Sequence, residues 1–518
     1  MLATVRSAGV AGIEAFDVAV EVDCALGLPQ FTVVGLAAGA VKESRERVSA
    51  ALVNSGFSLP PRRITVNLAP ADTRKEGTAF DLPIALGLLV ATGQLLPEHV
   101  APLAAIGELA LDGTIRPVRG VLPVAQRLAT HRGLTLLVPP GNVSEAQLVS
   151  GARLAAPSTL RDAVAQLRSG GMAAPARAQQ SVLSGVAAPS PDLRDVVGQV
   201  AAKRALEIAA AGDHGLIFIG PPGAGKTLLA RCMPALLPAL AEQEALEVIA
   251  IHSVAGALPI ERTIAPARPF RAPHHTVSSA GLIGGGTGPR PGEVSLAHLG
   301  VLFLDEMLEF PRHTLDALRQ PLEDGHVVIA RAAGSIRFPA RFTLVGAMNP
   351  CPCGRAGDPA GRCVCTAADV QRYRARLSGP LVDRIDLHVS VNAVPVRQLA
   401  HDEDRESSEA VRGRVERARA CQRRRYARLG LGPALSNGRA PSRSLQRESA
   451  IDHDARELLA SAAEQLELSA RSYHRVLRVA RTIADLEDDT IIRASSVAEA
   501  LRYRPTAVRD GVASALAV

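Results

Sequence analysis

The 518-residue sequence is poor in aromatic residues: it has no tryptophan, four tyrosines and ten phenylalanines. A protein that holds single strands by stacking bases on aromatic rings normally carries more of them. If the chain binds nucleic acid, we therefore expect arginine and lysine side chains to contact the phosphate backbone. A formal net charge of +7 permits such a partner but does not establish it.

Long apolar runs are missing as well. None approaches the roughly 18 consecutive residues of a membrane-spanning helix, so we expect no membrane partner. The opening residues, MLATVRSAGVAGIEAF, lack the long apolar segment and the cleavage site of a signal peptide. The sequence therefore predicts a cytoplasmic location.

Four segments follow one another, and together they predict an α/β protein. Residues 1–167 alternate strand-like runs such as FDVAVEVDCALG with helical stretches, which predicts an α/β domain. Residues 168–192 are rich in alanine, glycine, serine and proline without a clear period, which predicts a linker. Residues 193–390 predict a second α/β unit, and the arginine-rich pattern of residues 391–518 predicts a helical domain.

The string GLIFIGPPGAGKTLLARCM predicts a buried strand, a glycine-rich turn and a helix. In such a turn, backbone N–H groups and the helix N-terminus point at an anion, which indicates a site for the phosphates of ATP. We expect Lys226 to reach the β- and γ-phosphates and the Thr227 hydroxyl to bind Mg²⁺, and a chance glycine-rich turn is the alternative. The predicted phosphate-binding residues are Gly220, Pro221, Pro222, Gly223, Ala224, Gly225, Lys226 and Thr227.

Two further strands are expected to end beside this turn. The apolar strand in GVLFLDEM ends in Asp305, a candidate Mg²⁺ ligand through water, and in Glu306, a candidate base for the attacking water. The strand in RFTLVGAMNP ends at Asn349, whose amide is placed to orient that water. Taken alone, an apolar run before Asp-Glu is often a strand that meets its loop, and Asn-Pro is a turn signal.

Two arginines are candidates for stabilising charge on the γ-phosphate. Arg384, in LSGPLVDRIDLHV, suits an arginine that one subunit supplies to its neighbour, although a surface pair with Asp383 or Asp386 fits the spacing equally well. Arg471 begins a series of arginines at helical spacing. A solvated basic face is the alternative for that series.

Four of the seven cysteines crowd into the string CPCGRAGDPAGRCVC. Four thiolates suit tetrahedral Zn²⁺, and the glycine- and proline-rich loop allows the two Cys-x-Cys pairs to meet. Disulfides are unexpected in a reducing cytoplasm, and unligated thiols are the alternative. The candidate zinc ligands are Cys351, Cys353, Cys363 and Cys365.

At this point the sequence resembles the magnesium-chelatase-like AAA+ ATPases of the ComM/YifB family. The strings FIGPPGAGKT, FRAPHHTVSSAGLIGGG, GAMNPCPCG, RLSGPLVDRIDLHV and SARSYHRVLRVARTIADL carry the resemblance, which covers essentially the whole chain. It implies an N-terminal Lon-protease-like domain, a central AAA+ module, a C-terminal helical domain and a hexameric ring. For ComM-type members it implies a helicase that drives branch migration of DNA, branched or single-stranded, during natural transformation.

The resemblance also implies roles for individual residues. It implies Walker A residues Lys226 and Thr227, Walker B residues Asp305 and Glu306, first sensor Asn349, arginine finger Arg384 and second sensor Arg471. Related ring ATPases carry a pore-facing hairpin where this chain has EDGHVVIARAAGSIRFPARF, so Arg331 and then Arg337 are the candidate DNA contacts.

The N-terminal domain resembles a Lon-type protease but lacks the residues for proteolysis. A Ser–Lys dyad needs a hydroxyl nucleophile and a nearby amine, and those positions fall at Ala79 and near Leu122. Thr78 is a conceivable substitute nucleophile without a lysine placed to serve it. We therefore expect a scaffold or substrate-contact module.

Three other functions share parts of this pattern. A chelatase-type or chaperone-like ATPase that remodels a protein partner would use every nucleotide residue named above. A Lon-like protease is disfavoured by Ala79, and a nucleotide-dependent scaffold without turnover is disfavoured by Glu306.

Overall fold

The computed structural model describes most of the chain. The described residues are 2–170, 174, 190–258, 267–286, 288–331, 334–356, 362–394, 405–432, 435–448 and 450–505. Most of the linker predicted at 168–192 lies outside these ranges, so that assignment stays a prediction.

The N-terminal unit alternates strands and helices. Its strands are β1 (Leu2–Ala11), β2 (Glu14–Ala25), β3 (Gln30–Val34), β4 (Arg63–Ala69), β5 (Leu103–Ala105), β6 (Glu108–Leu109), β7 (Ile115–Arg116), β8 (Thr135–Leu137) and β9 (Arg153–Ala155). Its helices are α1 (Gly39–Lys42), α2 (Ser44–Asn54), α3 (Asp81–Ala91), α4 (Pro97–Val100), α5 (Val121–Ala129), α6 (Val143–Ala146) and α7 (Leu160–Ser169). The principal sheet has seven strands in the order β3-β4-β2-β1-β5-β8-β9.

Strand β2 shows why the sequence folds this way. Val18, Val20 and Val22 are buried at every second position, as expected for a strand with one face on the core. The apolar helix α3 is buried along its whole length and covers that face. The stretch 40–56, which reads as one helix, is instead divided at Glu43 into α1 and α2.

The central unit is built around a parallel sheet. Its strands are β10 (Leu216–Ile219), β11 (Phe270–Arg271), β12 (Gly284–Gly285), β13 (Arg290–Pro291), β14 (Val301–Leu304), β15 (His326–Arg331), β16 (Gly334–Pro339), β17 (Thr343–Met348) and β18 (Leu387–Ser390). Its helices are α8 (Val200–Gly212), α9 (Lys226–Leu236), α10 (Glu242–Ala255), α11 (Ser279–Ile283), α12 (Glu293–Leu296), α13 (Arg312–Asp316), α14 (Arg319–Asp324), α15 (Ala367–Arg374) and α16 (Gly379–Val382). The five-stranded sheet has the order β11-β14-β17-β10-β18.

Both faces of this sheet are covered. Leu216 and Phe218 face the cluster that α8 and α9 complete, whereas Ile217 between them faces a second cluster on the opposite side. Strands buried on both faces read as continuous apolar runs, which is why the sequence predicts them well.

Helices dominate the C-terminal unit. Its elements are α17 (Ser408–Arg428), α18 (Ser442–Glu448), β19 (Ala450–Ile451), α19 (His453–Gln465), α20 (Ala470–Leu486), β20 (Ile491–Ile492) and α21 (Ala494–Arg502). Val415, Leu459 and Ile483 join the same cluster as the central strands, so this unit packs onto one face of the parallel sheet. Within the described part of the chain, no helix has both the length and the apolar character that crossing a bilayer requires.

Helix α10 connects the central unit to the N-terminal unit. Leu122 packs against Ile249 and Ala250 of α10. Beside them, the buried carboxylate of Glu145 accepts hydrogen bonds from the Ser253 hydroxyl and from the Leu122 backbone N–H. Burial raises the pKa of Glu145 even though these donors oppose the shift.

Candidate nucleotide-binding site

Three strands end at one edge of the central sheet. Strands β14, β17 and β10 are neighbours and run parallel, so the loops that follow them meet outside their carboxyl ends. In open α/β sheets, ligands bind at this edge.

The glycine-rich turn connects β10 to α9. Gly223 and Gly225 have φ angles of +77° and +86°, where a side chain would be strained. Gly220 is needed for a different reason: a Cβ there would lie 2.0 Å from the carbonyl oxygen of Val391. The turn therefore depends on glycine for both backbone direction and close approach.

Lys226 begins α9 and bends back into the turn. Its Nζ donates to the carbonyl oxygens of Gly220 and Pro221, over 2.7 and 2.9 Å, and to Asn349 Oδ1 over 3.2 Å. Burial lowers the pKa of this amine, and Asp305 and Glu306 oppose that shift. The structure thus brings Lys226 and Asn349, predicted from separate strings, into direct contact.

Thr227 and Asp305 form a second contact across the same edge. The Thr227 hydroxyl donates to Asp305 Oδ2 over 2.8 Å, and the other oxygen of Asp305 accepts from the backbone N–H of Glu306 over 2.9 Å. Hydroxyl and carboxylate oxygens are groups that Mg²⁺ prefers, so the pair fits an ion bound by Thr227 and, through water, by Asp305.

Glu306 has an unusual backbone conformation. Its φ of +48° lies in the left-handed region, which is uncommon for non-glycine residues. Its side chain is 60% exposed, and its Oε2 lies 3.7 Å from Nδ1 of His275 in the loop after β11. The sequence did not single out His275 as a neighbour of Glu306.

Gln199 is a site residue that the sequence did not reveal. It has φ +53° just before α8, and its amide donates to the carbonyl oxygens of Ala224 and Asn392, over 3.3 and 2.6 Å. It thereby ties the glycine-rich turn to the segment after β18. A polar residue inside the apolar string VVGQV is the signal that marks it.

Arg384 and Arg471, the two candidates for stabilising charge on the γ-phosphate, both pair with Glu323 and not with the glycine-rich turn. Arg384 donates to the carbonyl oxygen of Pro380 over 2.6 Å and forms an ion pair with Glu323 over 2.7 Å. Arg471 forms an ion pair with the same carboxylate. The alternative partners Asp383 and Asp386 are therefore not the residues that hold Arg384; Asp386 instead lies 3.8 Å from the buried Arg475.

The four candidate zinc ligands lie together. Their sulfur atoms are all within 4.8 Å of one another, and Cys351 is buried. Backbone N–H groups of Val364 and Arg355 lower the pKa of the Cys353 thiol to about 6.

The predicted hairpin consists of β15 and β16, which pair antiparallel. Arg337 is exposed on β16, and its Nη2 lies 3.1 Å from Nδ1 of His326. Arg331 ends β15, and its side chain lies outside the described part of the structure, so its DNA contact stays a prediction. The hairpin touches the N-terminal unit, since a Cβ at Gly12 would lie 3.1 Å from Ile336 Cγ2.

In the N-terminal unit, Ala79, Leu122 and Thr78, the positions considered for a Ser–Lys dyad, do not form one. The Thr78 hydroxyl donates a hydrogen bond to the Glu108 carboxylate, and Nζ of Lys75 donates one to the carbonyl oxygen of Pro70. Leu122 is fully buried in the contact with α10. The position expected for a catalytic lysine is therefore used to join two units.

Three family models match the chain. "Subunit ChlI of Mg-chelatase" matches residues 20–142, "Magnesium chelatase, subunit ChlI" matches 192–399, and "Magnesium chelatase, subunit ChlI C-terminal" matches 405–504. These matches confirm the predicted α/β class, with a ChlI-like N-terminal domain, a central AAA domain and a helical C-terminal domain. The exact domain boundaries stay predictions.

Known proteins resemble the chain, some along nearly its whole length and others over one part of it. It is 44% identical over 508 residues to the competence protein ComM of Haemophilus influenzae, which covers 97% of both chains. It is 42% identical over 504 residues to the uncharacterized protein YifB of Salmonella typhimurium, again covering 97% of both. The magnesium-chelatase 38 kDa subunit of Rhodobacter capsulatus is 32% identical over 194 residues, which cover 34% of this chain and 55% of that protein.

Proposed function

Because this chain belongs to the ComM/YifB family of magnesium-chelatase-like AAA ATPases, we propose that it is a ring-forming, ATP-driven DNA motor. Its work on DNA would be branch migration of recombination intermediates. The ATPase class follows from the family, whereas the helicase activity, the DNA partner and the hexamer belong to the proposal. The name of the Haemophilus influenzae relative, competence protein ComM, supports a role in competence, and natural transformation is part of the proposal.

The observation that carries the proposal is the convergence of four side chains at one sheet edge. Lys226 contacts Asn349, and Thr227 contacts Asp305, although the two members of each pair are far apart in sequence. In the proposed site, Lys226 would exchange its carbonyl partners for phosphate oxygens, and Mg²⁺ would be held by Thr227 and, through water, by Asp305. When bound, ATP with Mg²⁺ supplies the phosphoanhydride bond whose hydrolysis drives movement.

Glu306 and Asn349 have the chemistry to prepare water for attack. The exposed carboxylate of Glu306 is free to accept a proton from water, and the Asn349 amide lies beside Lys226 where the γ-phosphate would be held.

The ring is proposed to complete each site with a neighbouring subunit. Arg384 and Arg471 bind one carboxylate in their own chain rather than the phosphate-binding turn. A guanidinium supplied by an adjacent subunit would stabilise charge on the γ-phosphate and would make hydrolysis depend on assembly.

DNA is proposed to contact the hairpin of β15 and β16. Arg337 is exposed on it, and Arg331 lies at the end of its first strand. Contacts of this kind bind phosphates without reading bases, which suits a motor that must act on any sequence.

Branch migration of a labelled synthetic four-way junction tests the proposal. The wild-type protein with ATP and Mg²⁺ should convert the junction into two duplexes, and Glu306→Gln should bind the junction without converting it. A wild-type protein that hydrolyses ATP but leaves every junction and fork intact would refute the DNA-motor function.

A chelatase-type or chaperone-like remodeller is the second candidate, and the similarity to the magnesium-chelatase 38 kDa subunit favours it. The two functions differ in what stimulates hydrolysis. DNA should increase ATP turnover at low salt if the chain is a DNA motor, and Arg331→Ala should reduce that increase. Equal turnover with and without DNA would favour the remodeller.

A further inference from the structure

The sulfur atoms of the four clustered cysteines have the spacing of a tetrahedral metal site. Sγ of Cys351 lies 3.4 Å from that of Cys353 and 3.8 Å from that of Cys363, and the last two are 3.6 Å apart. Zinc–sulfur bonds of about 2.3 Å place the corners of a tetrahedron about 3.8 Å apart. A disulfide would need about 2.05 Å, so the arrangement suits a shared ion and not pairwise bonds.

The surroundings of the cluster are those of a metal-binding turn. The backbone N–H of Ala356 points at Cys351 Sγ over 3.2 Å, and such N–H···S bonds support a thiolate ligand. Gly354 has φ +75°, which lets the chain reverse directly after the first pair of cysteines.

This turn rests on the phosphate-binding loop. A Cβ at Gly354 would lie 2.7 Å from Cδ of Pro222 and 3.9 Å from Cγ of Asn349, so Pro222 packs tightly against the turn and Asn349 lies near it. Cys351 follows Asn349 by two residues, and Asn349 accepts a hydrogen bond from Lys226.

We propose that Cys351, Cys353, Cys363 and Cys365 bind one structural Zn²⁺, and that this ion fixes the turn which holds Asn349 and Pro222 in their ATP-binding positions. Four protein ligands close the coordination sphere, so the ion supplies no water for catalysis. The zinc assignment is independent of the proposed DNA motor, whereas its effect on ATP rests on the nucleotide site of that proposal.

Zinc content of the full-length protein tests the first part. Inductively coupled plasma mass spectrometry should find about one Zn²⁺ per chain, with a large loss in Cys353→Ser and no loss in Cys421→Ser, a cysteine outside the cluster. Because Cys353→Ser could unfold, the wild type is also treated with a mercurial reagent and the released Zn²⁺ is read with a chromogenic chelator. A wild-type protein purified with added zinc that carries no metal overturns the proposal.

Gly354→Ala tests the contact with the phosphate-binding loop. The added methyl group meets Pro222, so this variant should keep its zinc yet bind a fluorescent ATP analogue about tenfold more weakly, a change of about 1.4 kcal/mol. Gly430→Ala is the control, because Gly430 has φ +68° with no atom within 4 Å of the new Cβ. If Gly354→Ala, Gly430→Ala and zinc-depleted wild type all bind ATP as tightly as untreated wild type, the proposed effect of the zinc-bound turn on ATP binding is overturned.

Failure of the DNA motor would look different. Junctions would stay intact while the zinc content and its effect on ATP affinity were unchanged. Conversely, a zinc-free protein that migrates branches normally would reject the zinc site and keep the motor.

Discussion

Arg384 and Arg471 share one counter-ion, the carboxylate of Glu323. The first arginine follows the short helix α16, the second begins α20 in the C-terminal unit, and Glu323 lies in α14. Two guanidinium groups from distant parts of the chain therefore lie side by side. A neighbouring γ-phosphate, which carries more charge than a carboxylate, would compete with Glu323 for both of them.

The shared position of these arginines predicts complementation between subunits. Lys226→Ala removes the phosphate-binding amine, and Arg384→Ala removes the supplied guanidinium, so each variant alone should lose ATP turnover by about 10³-fold. Mixed rings should regain activity, since about a quarter of their interfaces combine an intact turn with an intact arginine. Steady-state phosphate release measures this. Mixtures as inactive as the separate variants would reject sharing between subunits, and Lys42→Ala, an exposed lysine, should behave as wild type.

Alanine variants of Arg471 and Arg475 should differ in their effects: one should reduce ATP turnover and the other should reduce thermal stability. Arg475 is buried near Asp386, so Arg475→Ala should lower the melting temperature, because it removes a positive charge that offsets this buried carboxylate. Arg471 is about half exposed, and Arg471→Ala should keep the melting temperature but reduce ATP turnover at least about tenfold. Thermal unfolding and phosphate release are measured on both variants. Intact turnover in Arg471→Ala would identify it as a solvated surface arginine.

Glu306→Gln should trap ATP. The amide keeps the size of the side chain but cannot take a proton from water, so hydrolysis should fall by about 10²–10⁴-fold with little change in ATP affinity. Glu309→Gln is the matched control, because Glu309 lies in the same turn and pairs with Arg376. Single-turnover hydrolysis and ATP-analogue binding measure the two effects. A similar loss of hydrolysis in both variants would show that hydrolysis depends on the conformation of the turn and not on the Glu306 carboxylate.

His388 should make the fold sensitive to acid. Burial lowers the pKa of His388 from 6.5 to about 4, and the adjacent Arg504 adds to the shift, while Asp386 opposes it. Between about pH 6.5 and pH 4, the His388 imidazole is therefore protonated in the unfolded chain but neutral in the folded chain. The free energy of unfolding is unaffected by this group above about pH 6.5 and decreases as the pH falls toward 4.

Between pH 7 and pH 5 the loss from His388 amounts to about 2 kcal/mol of unfolding free energy. His388→Gln cannot take up a proton and should flatten this part of the pH dependence. Urea unfolding at the two pH values measures it, followed by circular dichroism of the helical signal. An unchanged difference between pH 7 and pH 5 in His388→Gln would assign the acid sensitivity to other groups.

The sequence predicts the parts of the candidate site that depend on neighbours along the chain. The turn before Lys226 and the acids after β14 are specified locally, by glycine positions and by an apolar run that must be buried on both faces. Glu323 and Gln199 escape prediction because their partners lie far away in the chain, and no local pattern encodes those pairings. The same holds for Leu122, whose burial depends on a helix of the central unit.

The contact between Gly12 and Ile336 joins the N-terminal unit to the hairpin of β15 and β16. Gly12 lies in the tight reversal between β1 and β2, and the next residue, Ile13, packs with Ile336 against the same apolar cluster. Under the proposed DNA motor, any movement of the hairpin would carry this reversal along or break free of it. A load on the bound strand would then reach the N-terminal unit as well, although none of the proposed catalytic residues lies there.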